Sequence, residues 1–340
     1  VIRATSHEPG AVVGDFTEHE LIARIQSHLP PPADWMPIGI GDDAAVVVPE
    51  RNRLEVLSVD ALVEGVHFDR AFTPPAAIGH RALAVNLSDL AAMGAAPRLC
   101  LLSLALPPAW PVQDFDAMIG GLTALAARYG VQVVGGNLPR SPGPLFIDVT
   151  VSGGVKKRQV LTRSGARPGD ELYVTGSLGA AAAGLQMLKA ASALAGAGPC
   201  VQRFLYPEPR VQTGKLLGRN RAAGACVDLS DGLADGIHRL ADRSGVGAII
   251  DADALPIEPA AREWFEAQKA DPVLAAMTGG DDYELLFSVR PRTRGRLREA
   301  MRRADTAVTP IGVCTADRAV VLRGARAEDR PVPAGYSHFR

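Results

Sequence analysis

Gly39-Ile40-Gly41-Asp42-Asp43-Ala44-Ala45-Val46-Val47 places two adjacent carboxylates in a glycine turn ahead of an apolar run. The spacing Gly39-x-Gly41-x-x-Ala44 superficially matches a dinucleotide-binding fingerprint, but that fingerprint needs a strand before it and a helix after it. Here Pro37 precedes the turn, and the valine-rich stretch Ala45 to Val48 reads as a strand. Two carboxylates would also repel a pyrophosphate unless a metal intervened. Taken alone, a hairpin turn explains the Gly and Asp equally well. Recurrence tips the balance. Acids return at Asp60, Asp89, Asp228, Asp231, Asp281 and Asp282, each beside Gly, Ser or a short hydrophobic run. Carboxylates in such settings hold hard cations, and a cation cluster holds polyphosphate. The expectation is a magnesium-dependent ATP enzyme whose acidic corners gather around shared divalent ions.

A chain of 340 residues suggests two domains of ordinary size, with enough apolar residues, 47%, to build a core in each. A net charge of −1 leaves no electrostatic footprint for nucleic acid. The arginines between Arg290 and Arg303 read as a solvated helix face. Cys100, Cys200, Cys226 and Cys314 are far apart and form no C-x-x-C pair, so unpaired thiols in the cytoplasm are expected. Val1 to Val13 lacks the basic and apolar regions of a signal peptide and reads as a flexible extension. No apolar run reaches about 18 residues, so no membrane span is expected.

Apolar periodicity predicts helices at Glu18 to Leu29, Pro75 to Met93 (with a break around Asn86 to Asp89) and Val112 to Tyr129. Strands are predicted at Leu54 to Val59, ending on Asp60, and at Cys100 to Leu106, Val131 to Val134 and Phe146 to Ser152. Gly135-Gly136-Asn137 is read as following its strand, and Gly153-Gly154 as punctuation. The domain boundary is placed there, giving residues 14–153 as an N-terminal ATP- and metal-binding domain and 154–340 as a C-terminal domain. In the second half, strands are predicted at Glu171 to Thr175, Ala225 to Leu229, Ala248 to Asp251, Tyr283 to Val289 and Val308 to Val313. Helices are predicted at Leu178 to Leu194, Pro209 to Leu217, Gly232 to Asp242, Ala260 to Gln268 and Thr293 to Arg303. Both halves mix strands and helices, an α/β (α+β) pattern.

No G-x-x-x-x-G-K-[ST] loop is present, and Thr213-Gly214-Lys215-Leu216 lacks both the first glycine and the final hydroxyl. Phosphate must therefore be held through magnesium and through backbone N–H groups of turns such as Gly135-Gly136 and Gly279-Gly280. Ser88-Asp89 and Ser230-Asp231 are equally good helix caps in isolation. Asp228 differs, since it ends a strand three residues from Asp231. Gly279-Gly280-Asp281-Asp282-Tyr283-Glu284 packs three acids before an apolar run, and a tight turn explains its glycines but not its acids.

In this order the stretches resemble the thiamine-monophosphate kinase family, from the superfamily shared with aminoimidazole ribonucleotide synthetase. The resemblance rests on Gly39 to Ala44, Val63-Glu64-Gly65-Val66-His67-Phe68, Ala84 to Ala95, Leu161 to Ala166, Asp228 to Leu233, Gly279 to Leu285 and the closing Gly335-Tyr336-Ser337-His338-Phe339. It implies a two-domain PurM-like fold whose N-terminal mixed sheet pairs across a homodimer. It also implies ATP-dependent phosphorylation of thiamine monophosphate to thiamine diphosphate with several Mg²⁺ ions. Asp43, Ser58, Val59 through its carbonyl, Asp60, Asp89, Asp228 and Asp231 would coordinate metal, with Asp60, Asp89 and Asp231 central to catalysis. Gly136, Asn137, Arg163 and Ser230 would contact ATP, and His67, Asp281 and Tyr336 the thiamine phosphate. Asn137 stands where many members carry Asp, and Asp281 where Glu is frequent. The alternatives are a sister ATP enzyme of the same fold acting on another phosphorylated substrate, a non-catalytic nucleotide binder, and a two-metal phosphatase.

Overall fold

A computed structural model describes residues 10–190, 198–304, 306–324 and 329–335. Two compact units are distinguished. One comprises the residues up to Arg51, Leu57–Asn86 and Arg98–Ser152, and the other Asn52–Val56, Leu87–Pro97 and the chain from Gly153 onward. Segments of the two units thus alternate along the chain.

In the first unit, α1 (Glu18–Ser27) starts at Thr17, whose hydroxyl accepts the Glu20 amide while the Glu20 carboxylate accepts the Thr17 amide. This capping box satisfies two of the otherwise orphaned donors of the first turn. Leu21 and Ile25 are the buried residues of α1. Arg24 pairs with Asp116 of α3 (Val112–Tyr129) and lies over the Phe16 ring. On α3, Phe115, Met118, Ile119, Leu122 and Leu125 form one buried stripe, and Gly130 closes the helix in the left-handed region at φ 67°. A Cβ on Gly121 would sit 2.0 Å from the Ala76 carbonyl oxygen, and one on Gly79 would sit 1.8 Å from that of Met118. Residues 76–79 and 118–121 therefore pack backbone to backbone, which only glycine permits. Residues 1–9 of the predicted extension lie outside the described residues. Val12 bridges Pro111, and the Val13 amide donates to the Trp110 carbonyl at 2.8 Å, so the end of that segment is tied down.

A four-stranded sheet has the order β1 (Leu54–Val63), β4 (Phe146–Val155), β2 (Ala96–Ala105), β3 (Gln132–Asn137). β2 and β3 run parallel, as βαβ units do when a helix such as α3 connects the strands. Five expectations change here. β1 continues to Val63, which puts Asp60 inside the strand rather than at its end. β3 extends through Gly135, Gly136 and Asn137, which face Leu101, Leu102 and Ser103. Gly153 and Gly154 lie within β4, because a Cβ on Gly153 would meet the Ala96 carbonyl oxygen at 2.7 Å. The stretch Ala45 to Val48 forms only an isolated bridge, Ile38 to Val46. Helix α2 (Pro75–Ala92) runs unbroken through Asn86 to Asp89.

Among the described residues of the second unit, seven strands form a sheet in the order β11 (Asp329–Pro331), β10 (Val320–Arg323), β7 (Gly247–Asp251), β9 (Val308–Thr315), β5 (Glu171–Thr175), β8 (Leu285–Val289), β6 (Cys226–Asp228). β10 and β7 are parallel, while β5, β6, β7 and β9 meet their other neighbours antiparallel. α7 (Leu233–Ser244) buries Leu233, Ile237 and Leu240 in a core with Val174, Val227, Ile250, Leu286 and Ile311. Each such side chain contributes about 1.5–3 kcal/mol. α4 (Ala180–Lys189) is the described part of the predicted helix Leu178 to Leu194, whose end beyond residue 190 lies outside the described residues. α6 (Val211–Asn220), α8 (Pro259–Ala267) and α10 (Arg294–Met301) lie where periodicity places them. The short α5 (Pro199–Leu205) and α9 (Pro272–Thr278) were not anticipated.

Candidate active site

In the first unit the site residues lie along the sheet. Asp60 is exposed on β1, and its amide donates to Asn86 Oδ1 at 3.0 Å. Asn86, wholly buried in α2, is aimed by its own Nδ2, which donates to the Ala82 carbonyl at 3.0 Å. Ser58 is half-buried and Val59 is 54% exposed on the same strand. His67 follows in a turn closed by its amide donating to the Val63 carbonyl, and its Nδ1 accepts the Val63 amide at 3.0 Å. With Nδ1 accepting, the neutral ring carries its proton on Nε2. Asp42 and Asp43 are exposed, and the Asp43 amide donates to Asp42 Oδ1. Gly41 takes φ 121° there, which favours glycine.

Gly136 and Asn137 sit on β3, at the opposite edge of the sheet from β1. Three interstrand spacings, about 14 Å, separate these edges, so the sheet does not bring Asn137 to Asp60. A Cβ at Gly136 would lie 1.8 Å from the Leu102 carbonyl oxygen, so this glycine answers a close approach rather than a turn.

The second unit gathers its residues more tightly. Asp228 ends the edge strand β6 and is buried at 7% exposure. Ser88 Oγ donates to its Oδ2 at 2.9 Å. Burial and the nearby charge of Asp89 push the Asp228 carboxyl well above the usual carboxylate range, against the pull of Ser88 and Arg163. Two carboxylates this close resist ionising together. One turn of α2 thus points Asn86 at β1 and Ser88 at Asp228.

Directly after β6, Asp231 accepts from Arg239 at 2.9 Å, and Arg239 also pairs with Asp235 one turn away on α7. Burial raises the Asp235 pKa, with Arg239 opposing. Gly232 holds φ 92° where a Cβ would strike the carbonyl oxygens of Gly279 and Met277. The loop before β8 is stitched to this segment. The Asp281 amide donates to the Ser230 carbonyl at 2.8 Å, the Tyr283 amide to Leu229 at 2.9 Å, and the Leu229 amide to Glu284 at 2.8 Å. These bonds continue the register that sets Asp228 opposite Leu285, and they bring Asp281 beside Ser230.

The acid density of residues 281–284 has a structural cause. Asp282, 1% exposed, turns inward and accepts the Gly179 amide ahead of α4. Burial lifts its pKa to about 7. Glu284 is fully buried, pairs with Arg203 and Arg210, and accepts from Thr175 Oγ1 at 2.6 Å. Asp281 alone of the three stays half-buried.

Arg163 is exposed, and its charge reaches Asp228 and Asp235. Tyr336 lies outside the described residues. Sequence reasoning missed Asn86, Ser88, Asp235, Arg239 and Tyr283. Asp235 to Arg239 is a readable i,i+4 pair, whereas the partners of Asn86 and Ser88 are set by the fold.

Among the described residues no group of three or more His, Cys, Asp or Glu side chains is close enough to hold a metal by itself. The acids occur instead as pairs. Mg²⁺ is suited by this, since it binds through one or two carboxylates plus substrate phosphates and its own waters. The donor set, carboxylate, hydroxyl and carbonyl oxygens without thiolate, is that of a hard cation. No helix among the described residues is long and apolar enough to cross a membrane.

Residues 41–155 match the family model for the AIR synthase related protein N-terminal domain, and residues 167–324 match that for the C-terminal domain. The chain is 39% identical over 307 residues to the thiamine-monophosphate kinase of Escherichia coli K12, covering 88% of this chain and 91% of that one. It is similar to the crystal structure of thiamine-monophosphate kinase from Stenotrophomonas maltophilia K279a, with a TM-score of 0.81 and 39% identity over 90% of this chain and 96% of that one. A structure described as AaThiL complexed with AMPPCP and TMP aligns with a TM-score of 0.75 and 30% identity, covering 98% and 100% of the two chains.

Proposed function

Since this chain belongs to the thiamine-monophosphate kinase family of AIR synthase related proteins and is a kinase, we propose that it transfers the γ-phosphoryl group of ATP directly onto the phosphate of thiamine monophosphate. The products are thiamine diphosphate and ADP, which makes this the last step in building thiamine diphosphate. The reading draws on the kinship above and on a similar chain complexed with AMPPCP and TMP. The observation that carries it is the buried Asp228 facing Asp89, with Ser88 as hydrogen-bond donor and Arg163 as the nearby positive charge.

The attacking atom is a phosphate oxygen, ionised at neutral pH, so no strong general base is needed. The difficulty is bringing two anions into line. Positioning and charge compensation supply most of the rate. In the first unit Asp43, Ser58, the Val59 carbonyl and Asp60 would ligate magnesium, and in the second Asp89, Asp228 and Asp231. Held by these residues, magnesium would supply the positive charge that offsets the repulsion between the phosphates. Asp60, Asp89 and Asp231 are the acids on which turnover depends most.

Ser230, Arg163, Gly136 and Asn137 would hold ATP. The Arg163 guanidinium donates charge-assisted hydrogen bonds to phosphate. The exposed backbone at Gly136 has no side chain between it and a ligand. Asn137 offers an amide oxygen but no charge. His67, with its proton on Nε2, would donate to the thiamine phosphate. Asp281 and Tyr336 would face the cationic thiazolium ring.

Two copies would pair through the first sheet. Leu57, Val59, Leu101 and Phe146 leave large apolar side chains exposed on its strands, and such surface is characteristic of an interface. Residues 14–153 would form the N-terminal ATP- and metal-binding domain, and 154–340 the C-terminal domain that adds Arg163, Asp228, Ser230 and Asp231. The described cysteines are buried and unpaired, which suits the reducing cytoplasm.

The test is an assay with ATP, Mg²⁺ and thiamine monophosphate, following both ADP and thiamine diphosphate. Stoichiometric formation of the two is expected. ADP release indifferent to thiamine monophosphate, or release of inorganic phosphate without diphosphate product, would overturn the assignment.

A further inference from the structure

The loop at residues 279–284 contains an unusual backbone. Asp281 has φ 68° and Tyr283 has φ 49°, both in the left-handed region. A bulky side chain such as tyrosine rarely accepts that region, and a chain keeps it where the surroundings over-determine it. The surroundings here do so. The amides of Asp281 and Tyr283 are tied to Ser230 and Leu229. Arg203 donates to the Asp282 carbonyl at 3.3 Å, and the Glu284 carboxylate below is held by Arg203, Arg210 and Thr175. A Cβ on Gly280 would strike the Ser230 carbonyl oxygen at 2.6 Å, so the loop lies flat on that segment.

This conformation returns Tyr283 toward the residue two positions before it. The Tyr283 hydroxyl donates to Asp281 Oδ1 at 3.1 Å, while the tyrosine itself is 7% exposed. In an extended strand, residues i and i+2 lie on the same face but stand well apart along the chain. The two left-handed residues therefore achieve something that a regular approach to β8 would not. A short, half-buried carboxylate is clamped by a buried phenol.

We propose that Tyr283 is a positioning residue for acceptor recognition, its hydroxyl fixing the Asp281 carboxylate that meets the cationic ring of the acceptor. The inference rests on the acceptor role given to Asp281 above. Asp281 has one rotatable bond fewer than glutamate and less reach, so its placement depends on what it is bonded to. Tyr283 supplies that bond from a buried, pre-ordered ring, at little entropic cost.

The experiment compares Tyr283→Phe, Asp281→Asn and the double variant, each as the full chain. It measures the KM for thiamine monophosphate, the KM for ATP, kcat and thermal stability. Tyr283→Phe keeps the ring and loses only the hydroxyl. It should raise the KM for thiamine monophosphate about tenfold, the scale of one hydrogen bond to a charged group, with the KM for ATP held and kcat reduced by much less. Asp281→Asn should raise the same KM, and adding Tyr283→Phe to it should bring little further loss. If Asp281→Asn raises that KM while Tyr283→Phe does not, or if the two effects multiply in the double variant, the positioning role is wrong and the acceptor reading stands. If Asp281→Asn leaves the KM unchanged, the acceptor reading of Asp281 falls and the role of Tyr283 falls with it.

Discussion

Asp282 should make the folded chain less stable as pH rises toward neutrality. Its carboxyl is 1% exposed. Burial lifts its pKa from 3.8 to about 7, against the Gly179 amide and Arg203, with the Glu284 charge adding to the rise. In an unfolded chain the same group ionises near its ordinary value of about 3.9. Between the two values the unfolded chain has lost a proton that the folded chain keeps, so raising the pH favours unfolding. The contribution is whole below about pH 4, declines through the window and is gone above about pH 7. Roughly three pKa units correspond to about 4 kcal/mol. Asp282→Asn preserves an oxygen that accepts the Gly179 amide and cannot ionise. Urea unfolding of both proteins from pH 4 to pH 8 isolates the effect, because the raised carboxyls of Asp228 and Asp235 act in both and cancel in the difference. The variant should gain on the parent across this window by several kcal/mol, with a slope approaching one proton. A stability difference that stays flat with pH would refute the reasoning.

Asp89→Asn and Asp60→Asn should each lower turnover by orders of magnitude while the circular dichroism stays native, and near-normal turnover in both would sink the proposed metal scheme. Glu284→Ala leaves Arg203 and Arg210 facing each other without their buried carboxylate, so denaturant titration should register a loss of about 3–5 kcal/mol. Gly136→Ala puts a methyl 1.8 Å from the Leu102 carbonyl oxygen, and β3 must shift at a cost of about 1–3 kcal/mol. A melting temperature indistinguishable from the parent would show that β3 yields freely.

Where a local signal governs an element, the sequence disclosed it. α3 runs from Val112 to Tyr129 as its stripe and closing Gly130 require, and β5 spans Glu171–Thr175 as expected. Glycine caused the misreadings of β3 and β4, because it answers two different demands. Gly130 supplies a left-handed turn, whereas Gly136 and Gly153 sit mid-strand because a neighbouring carbonyl leaves no room for a side chain. One letter stands for both, so strands were ended too early. Acids have the same ambiguity. Asp281, Asp282 and Glu284 read as one cluster, yet two of them turn inward to a helix start and to an arginine pair. Those arginines lie 81 and 74 residues from Glu284 and could not be seen locally. The short α9 was readable in part, since Asp271 caps the amides of Val273 and Leu274 ahead of Pro272.

The backbone ties between Leu229-Ser230 and Asp281-Tyr283 also bear on mobility. Two segments about fifty residues apart are joined there by main-chain bonds, one carrying the residue proposed for the nucleotide and the other the residue proposed for the vitamin. Spacing between those segments is then a property of main-chain geometry rather than of rotamer choice. A lesion that breaks one of these main-chain bonds should disturb the affinity for both proposed ligands together, whereas loss of the Tyr283 hydroxyl, which leaves them intact, should not.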